Sequence, residues 1–345
     1  MRVGVVGCGY WGSKHVRVLS GIPEVEQVAV IDPRPAVRAE LVRVFPAARP
    51  FATLAEAVGH IDAVVVATPP ETHAAVATQA IRAGLHVLVE KPMATSSHDA
   101  RRVMREAAAA GVVLMVGHTF EYNAGVIALG AAIASGELGR VYYLDAARLN
   151  LGIYQSHVNV IWDLAPHDVS ILNFLLGALP DRVQAWGSCH AHADLEDVAY
   201  LRLHYDQLDV TAQIHVSWLD PCKVRRVTAV GSTKMAVYND LATEERLRIY
   251  DKGVDIELYD HRGARHSGQP PTSYRYGGIV SPHVPFPEPL VEEDAHFVAC
   301  CRTGAAPRTP GASGLAVVSV LEAADVALRT GKAVELRDHM MAAAS

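Results

Sequence analysis

The chain has 345 residues, half of them hydrophobic and a fifth charged, with 31 basic against 37 acidic residues for a formal charge of −6. This length predicts two domains with sizeable cores, and the negative balance argues against nucleic acid or an anionic membrane surface as partner. The longest apolar runs, at 107–117 and 124–134, have eleven residues each, short of the roughly 18 that a membrane helix needs.

Met1 and Arg2 lead straight into Val3-Gly4-Val5-Val6, so no leader peptide is expected. Five scattered cysteines suggest neither a disulfide framework nor a metal pair. A cytoplasmic α/β protein without a bound metal is the expectation.

Up to residue 116, short β-branched runs alternate with stretches of helical length. Strands are predicted over 3–6, 28–31, 63–67, 86–89 and 112–116, each a near-continuous apolar run of the kind buried on both faces of a parallel sheet. Residues 11–20, 35–45, 71–83 and 96–110 are long enough for crossover helices, and the last two meet Gly84 and Gly111, placed as C-caps. Strand, helix, strand repeated in this way predicts a doubly wound sheet over residues 1–120.

The pattern then changes. Helices are predicted over 123–135 and 164–176, the second stopped by Gly177 and Pro180. Strand-like segments cover 141–149, 183–189, 199–204, 210–217, 224–230 and 234–238. In one of them Val210, Ala212, Ile214 and Val216 alternate with Thr211, Gln213, His215 and Ser217, the pattern of an antiparallel sheet with one buried face. Residues 251–290 are rich in Pro, Gly and Tyr and are expected to be irregular, and 313–329 to form a closing helix. Residues 121–345 thus read as a second, α+β domain for substrate binding and oligomerisation, with a large, open, mostly antiparallel sheet.

Gly7-Cys8-Gly9-Tyr10-Trp11-Gly12 follows the first strand and opens the first helix. Gly7 suits a tight turn, Gly9 lets a pyrophosphate approach the backbone, and Gly12 allows close helix–strand packing. Asp32 lies twenty residues past Gly12 at the end of the second strand, where an acidic side chain bonds ribose hydroxyls. Asp32 favours NAD over NADP, since a 2′-phosphate would meet like charge there; Arg34 opposes it, since an arginine near this position can hold that phosphate. Cys8 reads as packing. Lys91 falls just beyond the strand at 86–89, where open α/β sheets bind ligands, and a lysine there can stabilise a developing alkoxide.

Taken together, the glycine fingerprint, Thr68-Pro69-Pro70 with His73, Glu90-Lys91-Pro92, Gly136-Glu137-Leu138-Gly139 and Trp162-Asp163-Leu164-Ala165-Pro166-His167-Asp168 resemble the Gfo/Idh/MocA oxidoreductases over most of the chain. The resemblance implies an N-terminal Rossmann domain, a C-terminal α+β domain, and NAD(P)-dependent redox chemistry on sugars, sugar nucleotides or cyclitols. It implies that Lys91 is catalytic, that Asp163 and His167 stand at active-site positions, and that Thr68, Pro69 and Glu90 belong to the cofactor site. It also implies dimers or tetramers packed through the C-terminal sheet.

Asp163 and His167 are one helical turn apart and share a face, while Leu164, Ile171 and Leu175 mark another. Read alone, Asp163 suits an N-cap, which would put Pro166 in the first turn and His167 within reach of the helix dipole. The expected chemistry is a secondary alcohol giving its proton to His167 and its hydride to nicotinamide. Lys91 bonds the same oxygen, Asp163 orients the pair, and the roles of Lys91 and His167 are open to exchange. Pocket-lining candidates are His118, Phe120 and Tyr122, with Asn150, Tyr154, Gln155, His157 and Asn159 as candidate hydroxyl ligands. His190 and His192 are expected to face solvent. Two other functions are compatible with the sequence: a redox-neutral enzyme that keeps NAD bound and passes through a keto-sugar, and a non-catalytic NAD(P)-binding regulator.

Overall fold

A computed structural model describes residues 1–152, 154–255, 273–285 and 287–337. Contacts divide the chain into two compact units. The first holds Met1–Asn123 and Pro287–Asp325, with the described residues from Leu336 on; the second holds the described residues of Ala124–Phe286, with Val326–Glu335.

The first unit begins β1 (Arg2–Val6), α1 (Tyr10–Leu19), β2 (Gln27–Ile31), α2 (Pro35–Val44), β3 (Arg49–Phe51), α3 (Leu54–Ala57), β4 (Ala63–Val66), α4 (Pro70–Arg82), β5 (His86–Glu90), α5 (Ser97–Ala110) and β6 (Leu114–Gly117). Its sheet, six-stranded among the described residues, runs β3-β2-β1-β4-β5-β6 with every pair parallel. The order reverses between β1 and β4, and that switch point opens the crevice in which such sheets bind ligands. The continuous apolar strands are explained by burial on both sides. Val3, Val5, Val28 and Val30 pack with Val16 and Leu19 of α1, whereas Val64, Val66, Val87 and Val89 pack with Ala77 and Ile81 of α4.

The second unit begins with α6 (Ala124–Ala134), β7 (Val141–Leu151) and α7 (Val160–Leu176). It continues as β8 (Arg182–Ser188), β9 (Val198–Tyr205), β10 (Val210–Ser217), β11 (Leu219–Gly231), β12 (Met235–Asn239), β13 (Leu247–Asp255) and β14 (Ser273–Val280). The chain then forms α8 (Pro289–Thr303), α9 (Gly311–Thr330) and β15 (Val334–Glu335). The second sheet, nine-stranded among the described residues, runs β14-β13-β12-β11-β7-β10-β9-β8-β15 and is antiparallel except for the parallel pair β7–β10. Its alternation works as read: Ala199, Leu201, Leu203, Ala212, Ile214 and Val216 are buried, while Arg202 and Gln213 are exposed. The α7 helix packs against β7, β9 and β10.

The structure corrects several expectations. Within 251–290, residues 251–255 and 273–280 are not irregular but form the end of β13 and β14, and α8 begins at Pro289; the stretch 256–272 lies outside the described residues. A single boundary at residue 120 marks where the first sheet ends, but the chain comes back: α8 and most of α9 belong to the first unit. Leu290, Phe297 and Val298 of α8 complete its core, and Thr309 closes the edge of β6 by accepting from the Val116 N–H and donating its hydroxyl to the Val116 carbonyl. By length and composition α9 could cross a bilayer, which the run-by-run reading missed because Glu322 and Asp325 interrupt it, but most of its apolar window is buried within the protein. Finally, α7 starts at Val160, so Asn159 is its N-cap and Pro166 lies inside the helix rather than in its first turn. His167 is thereby set too deep for the dipole to act strongly on it, since that effect fades beyond the first turn.

Candidate active site

In the first unit, Gly7 takes φ +83°, and a Cβ there would meet the Ala67 carbonyl at 2.8 Å. A Cβ on Gly12 would come within 1.9 Å of the Gly7 oxygen, so only glycine lets α1 start this close to β1. At Gly9, the N-cap of α1, a Cβ would meet nothing within 4 Å and would stand in open space before the helix N-terminus. That is the space a pyrophosphate needs, with the helix amides facing it. Tyr10 and Trp11 flank the opening, are well exposed, and pack edge to face at 5.7 Å. Asp32 follows β2, buried, with Oδ2 accepting from the Cys8 N–H at 3.0 Å. Arg34 holds its carboxyl down to about 2. These residues fit NAD.

Thr68 and Pro69 precede α4. His73, one turn into that helix, sets its two ring nitrogens against the Thr68 carbonyl at 2.7 Å and the Pro92 carbonyl at 2.8 Å, tying the loops after β4 and β5 together. Lys91 is half-buried at the carboxyl end of β5, its backbone N–H donating to Glu90 Oε2 at 3.0 Å. His118 stands one residue past the Glu90–Gly117 register pair. It is buried, its ring nitrogens find no hydrogen-bond partner among the described residues, and burial pushes its pKa down to about 4, so the imidazole is neutral.

Behind Lys91 lies a network that the sequence reading missed. Glu90 Oε1 faces His15 Nε2 at 3.1 Å, and His15 Nδ1 faces Asp294 Oδ1 at 2.9 Å. Both ends of the bridge are buried, and the two carboxylates overcome the cost of burial to raise the His15 pKa well above its ordinary value. Glu293, also buried, accepts from the Thr119 hydroxyl at 2.9 Å; burial beside Glu90 and Asp294 raises its pKa strongly. The available signal was a histidine three residues past Gly12 and an acidic pair ahead of the apolar Phe297 and Val298.

In the second unit, Asp163 and His167 are half-buried on α7. Trp218, between β10 and β11, donates its indole N–H to Asp163 Oδ2 at 2.9 Å. Tyr154 packs on Trp218 with ring centroids 5.4 Å apart, and its hydroxyl is buried without a partner among the described residues. The Gly152 N–H donates to the Trp218 carbonyl at 2.8 Å, bringing the end of β7, with Asn150, to the same place. Trp218 was not foreseen, because nothing in sequence spacing links residue 218 to residue 163. Beneath the helix, Arg148 of β7 forms a buried two-pronged pair with Asp168 at 2.8 and 3.0 Å.

Other candidates sit elsewhere. Tyr122 is a core residue of the first unit, its hydroxyl 3.4 Å from Thr309 Oγ1, and Phe120 lies half-buried on the same single turn. Asn159 is engaged in capping: its Oδ1 accepts from the Trp162 N–H and its Nδ2 donates to Glu196. Gln155 and His157 are exposed. His190 pairs with buried Asp197 at 2.7 Å, while His192 stays exposed.

With this geometry in hand, comparison with known proteins identifies the class. Residues 1–118 match the model of the oxidoreductase family with an NAD-binding Rossmann fold, and residues 126–237 match the GFO/IDH/MocA C-terminal domain. The chain is 32% identical over 271 residues to 4-carboxy-2-hydroxymuconate-6-semialdehyde dehydrogenase of a Sphingobium species, covering 75% of this chain and 86% of that one. It is 34% identical over 200 residues to UDP-N-acetylglucosamine 3-dehydrogenase of Acidithiobacillus ferrooxidans, covering 58% and 61%. GenD2 from gentamicin A biosynthesis, solved in complex with NAD, superposes with a TM-score of 0.80 at 27% identity over 97% of this chain and 96% of that one. The chain therefore belongs to the GFO/IDH/MocA family of NAD-binding oxidoreductases.

Proposed function

We propose that the protein is an NAD-dependent dehydrogenase acting on a secondary alcohol of a sugar or sugar nucleotide. The observation that carries this reading is the Trp218–Asp163 hydrogen bond, in which a buried indole fixes an acidic side chain one helical turn from a histidine. Bound NAD supplies the hydride acceptor. His167 takes the hydroxyl proton, Lys91 donates to the same oxygen as negative charge develops, and Asp163 holds the geometry. His118 and Tyr154, each with a buried polar group left over, serve as ligands to the substrate.

The two relatives carry different substrates in their names, so the test is a panel of sugars, sugar nucleotides and semialdehydes with NAD, following NADH. A sugar-class alcohol that yields NADH in proportion to product supports the reading. Turnover of semialdehydes alone overturns it, and so does product formed without net NADH. With that substrate, Lys91→Ala and His167→Ala should each lose about 10²–10⁴-fold in kcat while NAD binding stays near normal. Removing both should cost little more than the worse single change, because the two act on one oxygen. Near-normal turnover in a folded variant removes that residue from the mechanism.

We also propose that the chain self-associates as a dimer or tetramer through the outer face of the nine-stranded sheet. Trp186, Tyr200 and His215 form a continuous stack across β8, β9 and β10, with centroid separations of 4.3 and 4.0 Å, and Trp186 and Tyr143 are exposed. The edge strand β14 adds exposed Tyr274, Tyr276, Ile279 and Val280, and surfaces of this kind are seldom left bare.

A further inference from the structure

Lys91 is the first residue past β5, whose last ladder pair joins Glu90 to Gly117. Beyond that pair the ladder ends and buried side chains take over. The Lys91 N–H donates to Glu90 Oε2 at 3.0 Å, and the Pro92 carbonyl lies 2.8 Å from His73 Nδ1. The lysine backbone is thus fixed from both sides by groups out of reach of water.

Glu90 is itself held. Its other oxygen, Oε1, faces His15 Nε2 at 3.1 Å, and His15 Nδ1 faces both oxygens of Asp294, at 2.9 and 3.1 Å. A neutral imidazole has one N–H and would turn a lone pair toward one of the two carboxylates. Only the doubly protonated ring donates both ways, so cation and carboxylates orient one another. Gly117 leaves room for this arrangement, since a Cβ there would press on Glu90 Oε2 at 3.2 Å. His15 belongs to α1, so the bridge ties the helix behind the glycine turn to the strand end that carries Lys91, and both to α8.

We infer that His15, backed by Asp294, is a positioning residue for Lys91: it fixes the Glu90 carboxylate, and Glu90 fixes the peptide from which the lysine side chain starts. This rests on Lys91 being catalytic. The two ends of the imidazole then differ in consequence. Losing either contact strands a buried carboxylate and costs stability, but only the contact to Glu90 leads on to Lys91.

Two substitutions separate those ends. The amide nitrogen of a glutamine falls near the place of Nε2, and that of an asparagine near Nδ1. His15→Gln therefore keeps a donor for Glu90 and removes the one for Asp294, and His15→Asn does the reverse. Hydrogen–deuterium exchange of the intact chain needs neither substrate nor NAD and reads the Lys91 amide directly, against the ladder amides of β5. In His15→Asn the Lys91 amide should exchange at least about tenfold faster than in the unmodified chain, as expected when a hydrogen bond to a charged acceptor is lost. In His15→Gln it should stay protected, although both variants lose stability. Equal exchange at Lys91 in the two variants overturns the inference, because a purely structural bridge would not distinguish its ends. Should neither variant fold by circular dichroism, Glu90→Gln decides, since its amide can bridge the Lys91 N–H and a neutral His15 without a charge of its own. Protection of the Lys91 amide should survive there, and exchange about tenfold faster or more overturns the inference. With the alcohol identified by the NADH panel, kcat should fall further in His15→Asn than in His15→Gln, while calorimetry shows near-normal NAD affinity in both. If Lys91→Ala is inactive and the two His15 variants turn over alike, the inference falls. The underlying reading fails separately: if Lys91→Ala turns over normally, the lysine is not catalytic, whatever its amide does.

Discussion

His15 is fully buried between two carboxylates, and that position makes the stability of the protein depend on pH in a definite sense. Its folded pKa is raised, so its contribution is complete below the unfolded value of about 6.5 and is lost as pH rises toward the folded value. Glu293 and Asp294 are raised as well, so the folded protein again holds more protons than the unfolded chain. Glu90 is lowered by His15 and Lys91 and works the other way, but it does so in the acid range. From pH 6.5 to 9 the urea midpoint should therefore fall; a flat or rising midpoint would show that His15 is neutral in the fold. His15→Gln should cost about 3–5 kcal/mol, because it strands buried charge. At this same scale the sequence was most legible where chemistry repeats a local pattern. Gly7, Gly12 and Asp32 sit where the fingerprint put them, since a strand–turn–helix is written in consecutive residues. Trp218, Glu293 and Asp294 reach their partners only through the fold, and no spacing rule could have found them.

Among the elements, α7 carries most of the chemistry proposed for the second unit and is held from beneath by the Arg148–Asp168 pair. Breaking one side should be worse than removing both. Asp168→Ala should destabilise by about 3–5 kcal/mol, and Arg148→Met combined with Asp168→Leu should recover much of that loss in urea titrations. A double variant as unstable as the single one would mean that the pair is not what fixes the helix. The sequence placed this helix but started it four residues late, because Asp163 and Asn159 are both good cap residues and only the backbone decides between them. The parallel strands were legible for a different reason, since burial on both faces leaves an unbroken apolar run. β3 was missed because Arg49-Pro50-Phe51 is a short edge strand without that pattern. β14 was missed because Gly277 and Gly278 within it, and the prolines around it, read as loop.

For the molecule as a whole, the proposed self-association is what lies most directly open to measurement. Trp186→Glu together with Tyr200→Asp places charge in the middle of the aromatic stack and should shift light-scattering mass toward the monomer, leaving NAD binding intact. An unmodified chain that is monomeric at every concentration would end the proposal. The return of α8 to the first unit has another consequence, which concerns time rather than space. His15 and Asp294 are 279 residues apart in the chain. At a synthesis rate of about 5–20 residues per second, the histidine waits on the order of tens of seconds for its carboxylate to be made. Over the same interval the sheet face that Leu290, Phe297 and Val298 help to close has only part of its cover, chiefly from α1. The strands of the nucleotide-binding unit thus emerge well ahead of the helix that completes them, and the unit stays unfinished while all the intervening residues are made.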